Sequence, residues 1–186
     1  MIALTYGSEE SAWTKARTAA KRLEAAGQLK ESEAEFLIAV KHARNVQATN
    51  PGHLAETLLD LAEVYQRQGK LEPAKKEYLA AIGIATEMLS HPQGSELYKG
   101  LARLSQTQAY TALGKLYTEQ KDYKAATATF EAGLKMDGYR STIYPAVAEL
   151  KRAYADMLDQ EGHRPELAKQ MRQQANDAAE GMFGDL

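Results

Sequence analysis

Residues 61–81 read LAEVYQRQGKLEPAKKEYLAA, and residues 113–133 read LGKLYTEQKDYKAATATFEAG. Both stretches open on a leucine and a small residue, with a tyrosine three positions further on: Leu61, Ala62, Tyr65 and Leu113, Gly114, Tyr117. Each then holds a turn, an alanine (Ala74, Ala126) and an aromatic residue four positions later (Tyr78, Phe130). Apolar residues at i, i+3, i+4 and i+7 spell a helix with one buried face. Two such helices joined by a tight turn make a hairpin. A recurring hairpin makes a stack in which each copy buries its apolar face on the next. A stack offers a surface more readily than a closed cleft, so the repeat points to binding.

The 61–81 copy explains its own turn. Leu58, Leu61, Ala62 and Tyr65 share one face of the first helix, and Gly69 stands where the chain leaves it. A glycine suits a left-handed cap because it has no Cβ to clash. Pro73 fits the first turn of the return helix, where its missing N–H is not needed. Ala74, Tyr78 and Ala81 form the returning face. In the 113–133 copy Lys121 takes the glycine's place, and a left-handed conformation there would cost about 1–2 kcal/mol.

Outward from these copies the pattern continues. Ala19, Ala20, Leu23, Gly27, Phe36 and Ala39 match it upstream, with Ser32 in place of the alanine. Downstream, Tyr154, Ala155, Leu158 and Gly162 match, but Ala168 falls into place only with a one-residue insertion, and Arg172 replaces the aromatic. The reading is all-α: eight helices in four antiparallel hairpins, at about 10–48, 53–90, 94–136 and 142–181, forming one domain over 1–186. The polar last hairpin suits the uncovered end of a solenoid.

These positions resemble the tetratricopeptide repeat, over about residues 13–175, most closely in the second and third hairpins. Gly27, Gly69, Lys121 and Gly162 are separated by 42, 52 and 41 residues, whereas the basic repeat has a period of about 34. NPGHLAETLLDLAEVYQRQGKLEPAKKEYLAAI at 50–82, closed by His91 and Pro92, looks like the longer kinesin-light-chain type. The extra 10 residues before the third hairpin, close to three helical turns, are expected to lengthen two helices. The resemblance implies a right-handed superhelical solenoid whose concave groove, lined by the first helix of each hairpin, binds a peptide segment or helix of another protein. One subgroup of the family clamps a carboxylate with lysine, asparagine and arginine. Here Glu63 and Lys115 occupy the asparagine-equivalent places, so that set is absent.

Helical geometry then names the candidate groove. Arg17 and Lys21 come from the first hairpin, and Glu56, Leu59, Asp60 and Glu63 from the second. Gln108, Thr111 and Lys115 come from the third, and Arg152 and Asp156 from the fourth. The sequence of charge is basic, acidic, weakly basic, acidic, a pattern able to select a partner of alternating charge or simply a solvated set of helix faces. Leu59 points away from the Leu58–Leu61–Tyr65 stripe and is a candidate anchor for a partner's side chain. Trp13 is expected to cover the N-terminal end of the stack, and His53 and His91 to sit in connections. The Met182–Phe183 tail is either frayed or a self-association contact, which leaves a homo-oligomeric element as the competing reading.

Composition narrows the alternatives. The 186 residues include no cysteine, which removes disulfides, thiolate metal sites and cysteine nucleophiles. A net charge of -2 and a pI near 6.1 argue against binding driven by nucleic-acid phosphates. No run of 18 apolar residues offers a membrane span. Phosphate loops, nucleophile elbows and zinc motifs are absent from the sequence. One helix rarely supplies enough oxygens for a metal, so Glu56, Asp60 and Glu63 are not read as a cation site. No cofactor, no nucleic-acid partner and no catalysis are expected. The start of the chain lacks a basic, apolar leader, so a cytoplasmic protein is the default expectation; a processed exported fragment would read the same.

Overall fold

A computed structural model describes residues 2–91, 95–135 and 144–180. Among these residues there are eight helices and no strand: α1 (Ile2–Ala25), α2 (Leu29–Asn45), α3 (Pro51–Arg67), α4 (Leu71–Ser90), α5 (Glu96–Glu119), α6 (Tyr123–Leu134), α7 (Tyr144–Glu161) and α8 (Pro165–Glu180). They form two compact units, residues 1–91 and 92–186, each of two hairpins.

In the first unit α1 packs on α2, α2 on α3, and α3 on α4. Phe36 and Tyr78, the aromatics of the two return helices, are fully buried, as are Ala20, Ala62, Ala74 and Ala81. Ser32 is as buried as the alanines it replaces, and its hydroxyl donates to the Ala20 carbonyl at 3.0 Å. Its polar group therefore costs little. Helix α1 starts well before residue 10, earlier than the sequence pattern indicates. Its early turns are tied down by Glu9, whose carboxylate is bonded by His42 Nδ1 at 2.6 Å and by Asn45 Nδ2 at 3.0 Å on α2.

In the second unit α5 packs on α6 and α7, α6 on α7, and α7 on α8. The core holds Ala126, Phe130, Leu150, Tyr154, Met157, Leu158, Ala168 and Met171. Gly114 and Gly133 mark its two closest approaches. A Cβ on Gly114 would lie 2.5 Å from the Phe130 ring, and one on Gly133 would lie 2.9 Å from Tyr110 Cβ. The long spacing before this unit is taken up as the pattern implies: α4 has 20 residues and α5 has 24, against 17 each for α2 and α3.

The turns follow one rule. Gly27, Gly69, Lys121 and Gly162 have φ of 75°, 75°, 58° and 78°. At Lys121 the residue's own N–H reaches the Thr118 carbonyl, and the next N–H, from Asp122, reaches the Tyr117 carbonyl, both at 2.9 Å. The same pair of bonds closes α1 at Gly27 and α3 at Gly69, the two-bond left-handed cap. Asp122 then caps α6 by accepting the Ala125 N–H at 3.0 Å. The fourth turn differs. Arg164, two residues beyond Gly162, accepts the Ala168 N–H, which accounts for the extra residue in that hairpin. Lys121 is exposed and carries the strain without compensation. Lys121→Gly is expected to raise stability by about 1 kcal/mol, and Gly69→Lys to lower it by a similar amount, both read from urea unfolding midpoints.

Candidate functional site

The residues expected to line a groove do not stand free in the first unit. Arg17 on α1 donates through Nε to Asp60 Oδ2 on α3 at 2.7 Å, and its Nη1 lies 3.2 Å from Glu56 Oε2. Lys21 Nζ lies 2.7 Å from the other Asp60 oxygen and 3.9 Å from Glu63. Asp60 is 8% exposed, so both its oxygens are sequestered between two cations. Glu24 on α1 is reached in turn by Arg67 at 3.1 Å. The basic and acidic faces read as a partner code thus neutralise one another.

The pKa directions follow from this arrangement. Burial works against the Lys21 charge, but the hydrogen bond and charge of Asp60, helped by Glu24 and Glu63, raise it overall. Burial raises Glu56 and Glu63, with Asp60 adding to each and Arg17 or Lys21 opposing. Both side chains remain well over a third exposed, so solvent keeps the effect on stability small. Among the described residues no group of three acidic, histidine or cysteine side chains is placed to hold a metal ion.

Three candidates need correction. Leu59 is 7% exposed and cannot anchor an incoming side chain. Helix α3 is covered nearly all round, with Leu54, Ala55, Thr57, Leu58, Leu59, Asp60, Leu61, Ala62 and Val64 all buried, so it has no free apolar face. Asp60 is buried with it. Thr111 is also buried, its hydroxyl turned back onto the Thr107 carbonyl at 2.8 Å.

Trp13 and His53 have roles that the sequence did not show. Trp13 is buried and does not lie over an open end. Its ring stacks on His53, with centroids 3.6 Å apart and planes 9° from parallel, and its Nε1 donates to Thr57 Oγ1 at 2.8 Å. His53 is inside the first turns of α3, not in a connection. Asn50 Nδ2 donates to its Nε2 at 3.0 Å, while its Nδ1 is buried with no acceptor. Burial lowers the His53 pKa, Glu10 opposes, and Arg17 adds to the depression. The folded state therefore favours neutral imidazole. Its contribution to stability is complete above the ordinary value of about 6.5 and is lost as pH falls through the lowered folded value. Glu56 and Glu63 act in the opposite sense, since protonation relieves their burial. The loss of stability on acidification below pH ~6.5 is expected to be smaller in His53→Gln than in wild type, read from melting temperatures across pH.

In the second unit the equivalent positions other than Thr111 are exposed. Gln108, Lys115, Glu149, Arg152 and Asp156 are all exposed. Lys115 Nζ pairs with Glu149 at 2.6 Å, joining α5 to α7. Asp156 lies 3.3 Å from Arg172, which also holds Asp159. Arg172, where other hairpins bury an aromatic, therefore serves its own hairpin as a surface ion pair. Arg152 makes no hydrogen bond or ion pair among the described residues. Met182 and Phe183 lie outside the described residues.

Residues 55–87 and 107–139 match the family model described as tetratricopeptide repeat. These two segments, about a third of the chain, are what is similar to the tetratricopeptide repeat. The first match spans α3 and α4, and the second runs from the middle of α5 through α6. These are the two hairpins whose sequence signature is strongest. A crystal structure of BtubC (BKLC) from P. vanneervenii is similar at 16% identity and a TM-score of 0.41, over 96% of this chain and 91% of that one. No curated protein matches the sequence. Among the described residues no helix is long and apolar enough to cross a membrane. Tetratricopeptide repeats generally mediate protein–protein interaction.

Proposed function

We propose that the chain is a noncatalytic interaction module that holds a peptide or helix of another protein, with the α5–α7 face as its main working surface. The observation that carries this reading is a contrast within the repeats. Arg17, Lys21 and Asp60 are spent on one another, whereas Gln108, Lys115, Glu149 and Arg152 are exposed and the Arg152 side chain has no partner among the described residues. A partner offering carboxylates to Lys115 and Arg152 competes only with the exposed Lys115–Glu149 pair, worth at most about 1 kcal/mol. Such an interface is modest in affinity and weakens with salt. We also read the repeats as the longer kinesin-light-chain-like type. The 42- and 41-residue spacings between turns support this.

Crosslinking capture from the source organism's lysate tests the proposal, comparing wild type with Lys115→Glu/Arg152→Glu. The expected result is loss of specific partners from the double variant, with its helix content and melting temperature unchanged. Retention of every partner by the double variant sinks the assignment of this face.

A further inference from the structure

In the first unit α2 and α4 both pack on α3 but not closely on one another. The gap between them is a crevice of about 290 Å³, on the return-helix side of the hairpins. Its floor is apolar: Val40 of α2 and Leu58 and Leu61 of α3, all buried. Leu37 stands at its edge and is 47% exposed, a large apolar side chain left in water beside an apolar floor. Lys41, Arg44 and Asn45 form the α2 rim, and Glu77 stands on the α4 side.

The rim chemistry indicates what the crevice takes. The Arg44 side chain makes no hydrogen bond or ion pair among the described residues. Lys41 makes none either, and contributes only its field to Glu9 on α1. Arg17, Lys21, Arg67 and Lys70, by contrast, each reach a carboxylate on another helix of this unit. Two exposed, uncommitted cations one turn apart along α2 therefore flank an apolar slot, while the single opposing carboxylate sits on the far wall. The volume is at the small end of ligand sites, which run from about 300 Å³ upward. It suits one or two large side chains and not a cofactor.

We propose that this crevice is a second docking site, independent of the α5–α7 face, for a protein segment that buries a leucine-sized or aromatic side chain against Val40, Leu58 and Leu61. Acidic residues next to that anchor would pair with Lys41 and Arg44. The charge on the α2 rim selects the acidic flank. An apolar anchor with charges placed one or two turns away is a recurring way for a groove to read a short segment.

The test uses the whole chain and fluorescein-labelled peptides of roughly twelve residues. Each carries one leucine, phenylalanine or tryptophan among glutamates, and matched peptides carry lysine for glutamate. Anisotropy is expected to show binding by acidic members and not by their lysine counterparts. Binding is expected to weaken by about tenfold or more in Lys41→Glu/Arg44→Glu, and to stay unchanged in Lys115→Glu/Arg152→Glu. Methyl NMR on the wild type is expected to show Val40, Leu58 and Leu61 shifting on titration. The substituted side chains are exposed, so the fold is retained, and melting temperatures check this. The proposal is overturned if no acidic member binds, if lysine peptides bind equally well, or if binding leaves the three floor methyls unmoved. Loss of binding only in Lys115→Glu/Arg152→Glu would assign the peptides to the other face and overturn this site alone.

Discussion

Phe130→Ala is expected to lower the stability of the second unit by about 3–5 kcal/mol, the cost of emptying a fully buried aromatic site. Phe130 has no solvent exposure, and its ring stacks against Tyr154 with centroids 5.3 Å apart. The ring also occupies the place where a side chain at position 114 would begin. That contact decides the sign of a second substitution. In an open helix Gly→Ala gains about 1 kcal/mol of propensity. Gly114→Ala instead drives a methyl to 2.5 Å from a ring that is packed on every side. Overpacking of this kind costs about 1–3 kcal/mol, so the net change is expected to be a loss. In the double variant the new methyl enters the space the ring vacates, and the two costs should not add. Urea unfolding of the three variants checks this. Strictly additive losses would mean that the ring does not press on α5.

Asp60→Ala is expected to be the most damaging change on the polar faces, at about 2–3 kcal/mol. Removing one member of a buried ion pair can cost 3–5 kcal/mol because the partner charge is stranded. Here the orphans are Arg17 and Lys21, whose side chains are 30% and 41% exposed, so both can partly rehydrate. That places the expected loss below the fully buried range. A second readout is independent of stability. Asp60 raises Glu56 and Glu63, so Asp60→Asn should lower both pKa values, measurable by NMR titration. Unchanged carboxylates would show that the three acids do not share a field.

The sequence revealed most where physics is local. A glycine at 27, 69 and 162 announces a left-handed cap because few other residues tolerate it. Lys121 was recognisable as the exception by its place in the pattern, since the flanking alanine and aromatics fix the register. The extra helical turns were legible as a difference in spacing. What was hidden depends on which helices cross. Arg17 and Asp60 are 43 residues apart, and each alone reads as an ordinary exposed charge. Leu59 lies off the apolar stripe of its own helix, and only a helix covered nearly all round buries it. Trp13 meets His53 because α1 and α3 run side by side, and no spacing within either helix encodes that meeting. Lys115 and Glu149 likewise find one another only across two helices.

The ion pairs between α1 and α3 also bear on how such an array can grow. A stack of identical hairpins extends by duplication, since each copy fits the last. In this chain the α1 face is basic and the α3 face acidic, and they mate as unlike halves. A tandem copy of the α3–α4 hairpin would bring the copy's Asp60 against Leu59 and Glu63, the α3 counterparts of Arg17 and Lys21 by the 42-residue turn spacing, and leave its carboxylates with no cation. The order of the hairpins is thus written into their charges. Lengthening the array would require new residues at the seam as well as a repeated segment.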